Sequence, residues 1–165
     1  MEKISVNEQL FKFKYLPQFA EYILKNKLEE FVTVGIRLAR ELELPMMKPL
    51  AKFPENELIK LSIESTKRIL KALSENNITP LIEENLNNWV TNNIQYLDKF
   101  DVAAEDLTLA YHIRRKVFYY FLYGYTQSAP IQLSIVNEVD VYSSMEELIS
   151  LRVYFNLQKE KAETK

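Results

Sequence analysis

Only two glycines, Gly35 and Gly124, occur in the 165 residues of this chain. That scarcity constrains the fold more than any other feature. A β-sandwich or barrel needs many tight turns, and tight turns draw on glycine. A phosphate-binding loop of the GxGxxG or Walker A pattern cannot be written with two isolated glycines. The apolar residues recur at helical spacing, and no segment sustains an alternation of period two. The expectation is an all-α fold of five to six helices, a helical bundle or a globin-like packing.

Prolines and capping residues divide the chain. A short N-terminal helix is expected within residues 1–16. Pro17 opens a longer one reaching about Glu43, with Phe19, Ile23, Phe31, Val34, Leu38 and Leu42 along its apolar side. Gly35 inside it costs about 1 kcal/mol relative to alanine, which a close helix crossing would explain. Pro45, Pro49 and Pro54 make residues 43–55 a connector. Pro54 followed by Glu55 and Glu57 reads as a helix start, with acids at the positive end of the dipole. That helix carries Leu58, Leu61, Ile69 and Leu73 and stops near Asn76 and Asn77. Thr79 and Pro80 open the next, which ends near Asp98 and presents Ile82, Leu86, Trp89 and Val90 to the core. Asp101 is read as the cap of a helix running to Tyr125, and Ser128 as the cap of the last, from about Ala129. Residues 156–165 are read as a charged tail or the start of a linker helix. One domain over 1–165 is expected, because a chain of this length buries a sizeable core.

Composition removes several chemistries. With no cysteine there is no disulfide, thiolate metal site, iron–sulfur cluster or cysteine nucleophile. A net charge of −2 supplies no basic field for nucleic acid. The longest apolar run, residues 117–125, falls well short of the roughly 20 residues that span a bilayer. The start MEKISVNEQLFKFKYLP has no apolar core of a signal peptide. A soluble, cytoplasmic protein without membrane insertion or nucleic-acid partner is expected.

What chemistry remains gathers in LAYHIRRKVFYYFLYGYT, residues 109–126, which hold the only histidine. His112 lies about 100° round the helix from Tyr111, at the edge of a stripe formed by Leu107, Ala110, Tyr111, Arg114, Val117, Phe118, Phe121 and Tyr125. A boundary histidine bonded to a neighbour is the plain reading. A carboxylate-bridged metal pair needs Glu-x-x-His twice, and position 109 is Leu. One histidine and no cysteine do not make a zinc site, so no metal is expected. A phosphoacceptor histidine is normally followed four residues on by a small residue, where this chain has Lys116. A haem globin needs only one proximal histidine, so haem on His112 is the main alternative to a cofactor-free domain. Arg114 shares the face of Tyr111 and Val117 and calls for a carboxylate, from Asp106 or from a neighbouring helix. Of the adjacent pair Arg114 and Arg115, only one is expected to face inward. No nucleophile–base pair emerges, and no catalytic residue or enzymatic activity is expected. A ligand, where one binds, is expected against His112, Tyr111, Arg114 and Trp89.

The last helix carries two apolar stripes. Ile135, Val139, Tyr142, Ile149 and Val153 form one; Val141, Met145, Leu148, Arg152 and Phe155 lie on the other. Two such faces suit a helix that packs on its own domain and on a second copy. The homodimer seam is expected to include Tyr142, Ile149 and Val153.

The run EDLTLAYHIRRKVFYYFLYGYT, then a turn, then IVNEVDVYSSMEELISLRVYFNLQKEK, resembles the N-terminal sensor domain of the RsbR/RsbRD stressosome group and related bacterial signalling proteins. The upstream Trp89 helix and the spaced Leu and Phe positions of the first long helix fit the same pattern. The resemblance spans most of the chain as a pattern of helices and apolar positions rather than a sharp motif. It implies a globin-like domain that typically lacks haem, dimerises through terminal helices and serves as a stress-response input to STAS or histidine kinase effectors. It supplies no catalytic residues. The function expected is a non-enzymatic signal-input domain that passes a helix shift to a C-terminal effector. A haem- or small-ligand-binding globin using His112 and a helical adaptor or histidine phosphotransfer protein are the alternatives.

Overall fold

The computed structural model describes residues 4–94 and 97–163; the outermost parts of the expected N-terminal helix and tail, residues 1–3 and 164–165, lie outside them. Six α-helices follow one another: α1 Leu16–Asn26, α2 Leu28–Glu41, α3 Glu55–Ser74, α4 Thr79–Val90, α5 Ala104–Tyr125 and α6 Ala129–Glu163. Two 3-10 turns, Glu8–Phe11 and Pro45–Leu50, precede α1 and α3. Among the described residues every regular element is helical, so the fold is all-α.

α5 and α6 form an antiparallel hairpin closed by residues 126–128. At 1.5 Å per residue, the 35 residues of α6 reach about 52 Å. α3 packs along α1 and α2, α2 against α5, and α4 against α6. The main core runs through Leu16, Phe19 and Ile23 of α1, Val117 and Phe118 of α5, and Ile135, Val139 and Tyr142 of α6. The ring of Phe118 meets Phe19 of α1 and Phe31 of α2, at 6.0 and 5.1 Å between centroids.

The expected single helix from Pro17 to Glu43 is two. It breaks at Lys27, where ψ swings to 8°. Ile23 lies in the main core, whereas Val32 and Ile36 join a smaller cluster with Leu58 of α3. In one continuous helix Ile23 and Val32 would sit about 180° apart, so the break lets both be buried. The Gly35 expectation also changes. A Cβ there would meet only Val117 Cγ2, at 3.8 Å, an ordinary contact that no close crossing demands.

Three helices stop in the same way. α2, α3 and α4 are each followed by a left-handed residue, Glu43, Asn76 and Asn92, with φ of 51°, 53° and 58°. The next amide then reaches back to the helix: Leu44 N to Ala39 O at 3.0 Å, Asn77 N to Ala72 O at 2.8 Å and Asn93 N to Asn88 O at 2.7 Å. Asn92 therefore ends α4 at Val90, eight residues before the expected Asp98. Asparagine tolerates this conformation, but glutamate carries the Cβ penalty without the side chain that relieves it. Glu43→Gly is expected to raise stability by about 1 kcal/mol and the melting temperature by about 2–4 °C. A melting curve that moves down checks against this.

The N-terminal segment is tied on by side chains from later in the chain. Asn76 accepts from Phe13 N at 3.0 Å and donates to Phe13 O at 2.9 Å. Glu83 accepts from Val6 N at 2.7 Å. Tyr15, the residue before α1, offers no capping side chain. Glu138 of α6 does so instead, accepting from the amides of Lys14, Tyr15 and Leu16 at 2.9, 2.8 and 2.6 Å. The start of α5 is also shifted from expectation. The helix begins at Ala104, and Asp106 rather than Asp101 accepts the amide of Ala103, at 2.8 Å. Buried Asp106 also accepts Met46 N at 2.6 Å, fixing the connector. The charged tail continues as helix to Glu163, with Lys161 over the ring of Phe100 at 4.9 Å.

Candidate functional site

α5 and α6 meet through a ladder of polar pairs instead of a purely apolar seam. The hydroxyls of Tyr111 and Ser150 lie 2.8 Å apart. One turn along, Arg114 Nη1 donates to Glu146 Oε2 at 2.5 Å. Arg115 Nη2 then donates to Ser144 Oγ at 2.9 Å and Glu147 Oε2 at 3.3 Å, and its Nε lies 3.6 Å from Asp140 Oδ1. Tyr119 donates to Asp140.

Arg114 and Glu146 are the centre of the ladder, with side chains 22% and 11% exposed. The guanidinium carbon lies 4.8 Å from the Tyr111 ring centroid and 5.0 Å from that of Tyr142, between two aromatic faces. Burial disfavours the charge on Arg114, but Glu146 and the two tyrosines outweigh it, and its pKa is raised. Burial, aided by the Glu146 carboxylate, pushes the Tyr111 and Tyr142 hydroxyls above the ordinary tyrosine range. Burial and the bond to Asp140 raise Tyr119 as well. The cluster holds a fixed charge pair with un-ionised phenols around it. Such a group stores specificity of register between two helices.

The other expected residues fall as follows. The carboxylate for Arg114 is Glu146 of α6, not Asp106. Arg115 is covered by α6 too, its side chain 20% exposed, so both arginines of the pair turn toward that helix. Each lies within reach of the α6 face, which presents acids at 140, 146 and 147. His112 is exposed, about 100° round α5 from Tyr111, and makes no hydrogen bond or ion pair among the described residues. It therefore stands apart from Tyr111 and Arg114. Trp89 is buried in α4, with Nε1 donating to Lys99 O at 3.0 Å, and is not part of the ladder. Of the four residues expected to gather round a ligand, only Tyr111 and Arg114 come together. Among the described residues no three carboxylate or imidazole groups stand close enough to hold a metal ion, and no helix is long and apolar enough to cross a membrane.

The two stripes of α6 separate except at Met145. Tyr142 and Val153 are buried in the chain's own core and Ile149 is packed against it. A second copy cannot reach them while that core is intact. On the other stripe Met145 packs against the core, whereas Val141, Leu148 and Phe155 are 45%, 45% and 57% exposed. They recur every seven residues, and exposed Ala162 continues the series. The sequence placed these residues on a second face. Which face the domain uses for itself depends on α5, whose ladder partners Glu146 and Ser150 lie on the Tyr142 side. Comparison with family models, with curated proteins and with solved structures finds no match to this chain.

Proposed function

We propose that this chain is a non-enzymatic signal-input domain of bacterial signal transduction that works as a homodimer and passes a displacement of α6 to a C-terminal effector. A STAS module or a histidine kinase fits that role. The observation that carries the reading is α6 itself. Its inner face is held to α5 by polar pairs, and its outer face is an unpartnered apolar row at heptad spacing.

The inner face suits a sliding helix. Arg115 sits between Asp140 and Glu147, carboxylates about one turn to either side of Ser144. When α6 slips by a turn, one of these acids still faces the Arg115 guanidinium, whereas Arg114 parts from Glu146, so the present register is the favoured one and the next keeps one charge pair. An element with two discrete arrangements is what a signal-bearing helix needs. The outer face suits a parallel partner helix. With Val141, Leu148 and Phe155 as the repeating apolar positions, Glu147 precedes one and Arg152 follows it by four, the flanking positions that pair across a parallel coiled coil. Arg152 is exposed and has no ion pair within the chain among the described residues. Parallel pairing brings Glu147 of one copy, which Arg115 of its own chain also holds at 3.3 Å, toward Arg152 of the other. Antiparallel pairing would set Arg152 and Lys159 against like charges. The globin-like packing and stress-response role implied by the sequence resemblance belong to the same proposal.

The test is sedimentation of the purified chain, recorded in the protein and Soret bands before and after adding haemin. A colourless dimer is expected, with no sharp Soret band, since His112 is exposed on α5. Leu148→Glu with Phe155→Glu is expected to give a folded monomer. A monomer in the parent chain, or a dimer unchanged by the two substitutions, sinks the dimer; a Soret band lost in His112→Ala would instead make the chain a haem globin.

A further inference from the structure

We infer that the cleft between α2, α3 and α5 is a binding site for a small, uncharged, mainly apolar molecule carrying one hydrogen-bonding group. The cleft has a volume of about 270 Å³ and is walled by apolar residues, among them Ile36, Ile69, Ile113 and Val117. An apolar cavity of roughly 150 Å³ holds benzene, so this one admits a molecule of about ten non-hydrogen atoms. Pockets for larger ligands start near 300 Å³.

Three observations define what it takes. Ser62 and Thr66 line the cleft from α3, four residues apart and so on one face. Neither hydroxyl has a hydrogen-bond partner among the described residues. They offer donor and acceptor to a single polar group. The one charged side chain in the wall is Arg114. Its charge is already matched by Glu146 at 2.5 Å and flanked by Tyr111 and Tyr142, so an anionic ligand would have to compete with that pair. An uncharged ligand meets no such cost. Gly35 is the third. It lines the cleft, yet the nearest atom to a Cβ there is 3.8 Å away. Helix propensity favours alanine at this position, and no crossing needs glycine. Glycine at 35 keeps the cleft open.

Arg114 faces both ways, into the cleft and into the ladder on α6. A ligand that moves it acts directly on the register of α6. In that respect the inference rests on the signal-input reading and names the class of its input; the binding itself does not.

The test is titration of the isotope-labelled full chain with indole and with 2-phenylethanol, following the backbone amides of Gly35, Ser62, Thr66 and Ala110, with benzoate as the charged comparator. Saturable shifts at these amides are expected with both uncharged probes and weaker binding with benzoate. Gly35→Leu fills the cleft and should weaken both probes at least about tenfold, a loss near 1.4 kcal/mol; if that variant fails to fold, Gly35→Ala should weaken them measurably. Ser62→Ala with Thr66→Val should weaken both probes about tenfold while leaving toluene binding unchanged. No saturable shift with either uncharged probe, benzoate binding as tightly as they do, or unaltered binding in the Gly35 variants overturns the site. The Leu148 and Phe155 amides of α6 report the other question. Binding at the cleft without a response there leaves the site standing and removes the signal-input reading.

Discussion

Arg114→Ala is expected to lower the unfolding free energy by about 3 kcal/mol or more, because it leaves the Glu146 carboxylate buried without its counter-charge. Breaking a buried pair from one side typically costs about 3–5 kcal/mol, and the 22% exposure of the Arg114 side chain places the expected value at the lower end. At about 2–4 °C per kcal/mol for a chain of this size, the melting temperature should fall on the order of 10 °C. The loss comes from the orphaned acid and not from the missing attraction. Arg114→Met combined with Glu146→Leu should therefore recover most of it. Arg68–Glu84 is the internal contrast. Its bond is 2.9 Å long, but Arg68 is 57% exposed, and Arg68→Ala should cost under about 1 kcal/mol. Urea unfolding of the four proteins decides the matter. An Arg114→Ala cost no larger than that of Arg68→Ala would mean that water already screens the ladder.

High pH is expected to unfold the domain cooperatively. Tyr111 and Tyr142 are held un-ionised in the fold by burial, with pKa raised above 10.0, the value of a free phenol. Above pH 10 the unfolded chain releases these protons and the folded chain retains them, so stability falls as pH rises. Below pH 10 both states hold them and the contribution is fully present. Each phenol that stays protonated in the fold removes up to about 1.4 kcal/mol per pH unit above pH 10. An ordinary domain is stabilised by only roughly 5–15 kcal/mol. Helical circular dichroism and the tyrosinate absorbance of the buried phenols should change together. Tyr142→Phe should move the alkaline midpoint upward, and complete tyrosinate formation in a chain that keeps its helices would refute the account.

The starts of α3, α4 and α6 were legible because their causes are local. Pro80 and Pro130 sit in first turns where their fixed φ fits, and Pro54 with Glu55 marks the start of α3. The stops and breaks were less so. Asn92 ends α4 through a left-handed residue that resembles any other asparagine in the sequence. The division at Lys27 has no proline or glycine to mark it. Its cause is that Ile23 and Val32 go to different clusters, which only the packing reveals. At the candidate site, the need of Arg114 for a carboxylate was readable from its place among apolar residues. The identity of that carboxylate was not. It depends on the axial register of α5 against α6, and the extended conformation at Thr126, with φ −150° and ψ 146°, leaves that register to the ladder itself. The cleft was invisible for a similar reason, since its walls come from three helices.

The carboxylate that serves α1 stands 122 residues beyond Leu16. A ribosome adding about 5–20 residues per second needs roughly 6–25 s to cover that interval. Throughout that time the leading helix has emerged with its first amides unanswered, and Glu138 is not yet made. Phe11 and Phe13, which close on Tyr142 at 6.4 Å, are in the same position. The cap of α1 is thus supplied late in synthesis, after the Asn76 and Glu83 contacts of the preceding segment, and a chain cut short of Glu138 leaves the first turn of α1 without it.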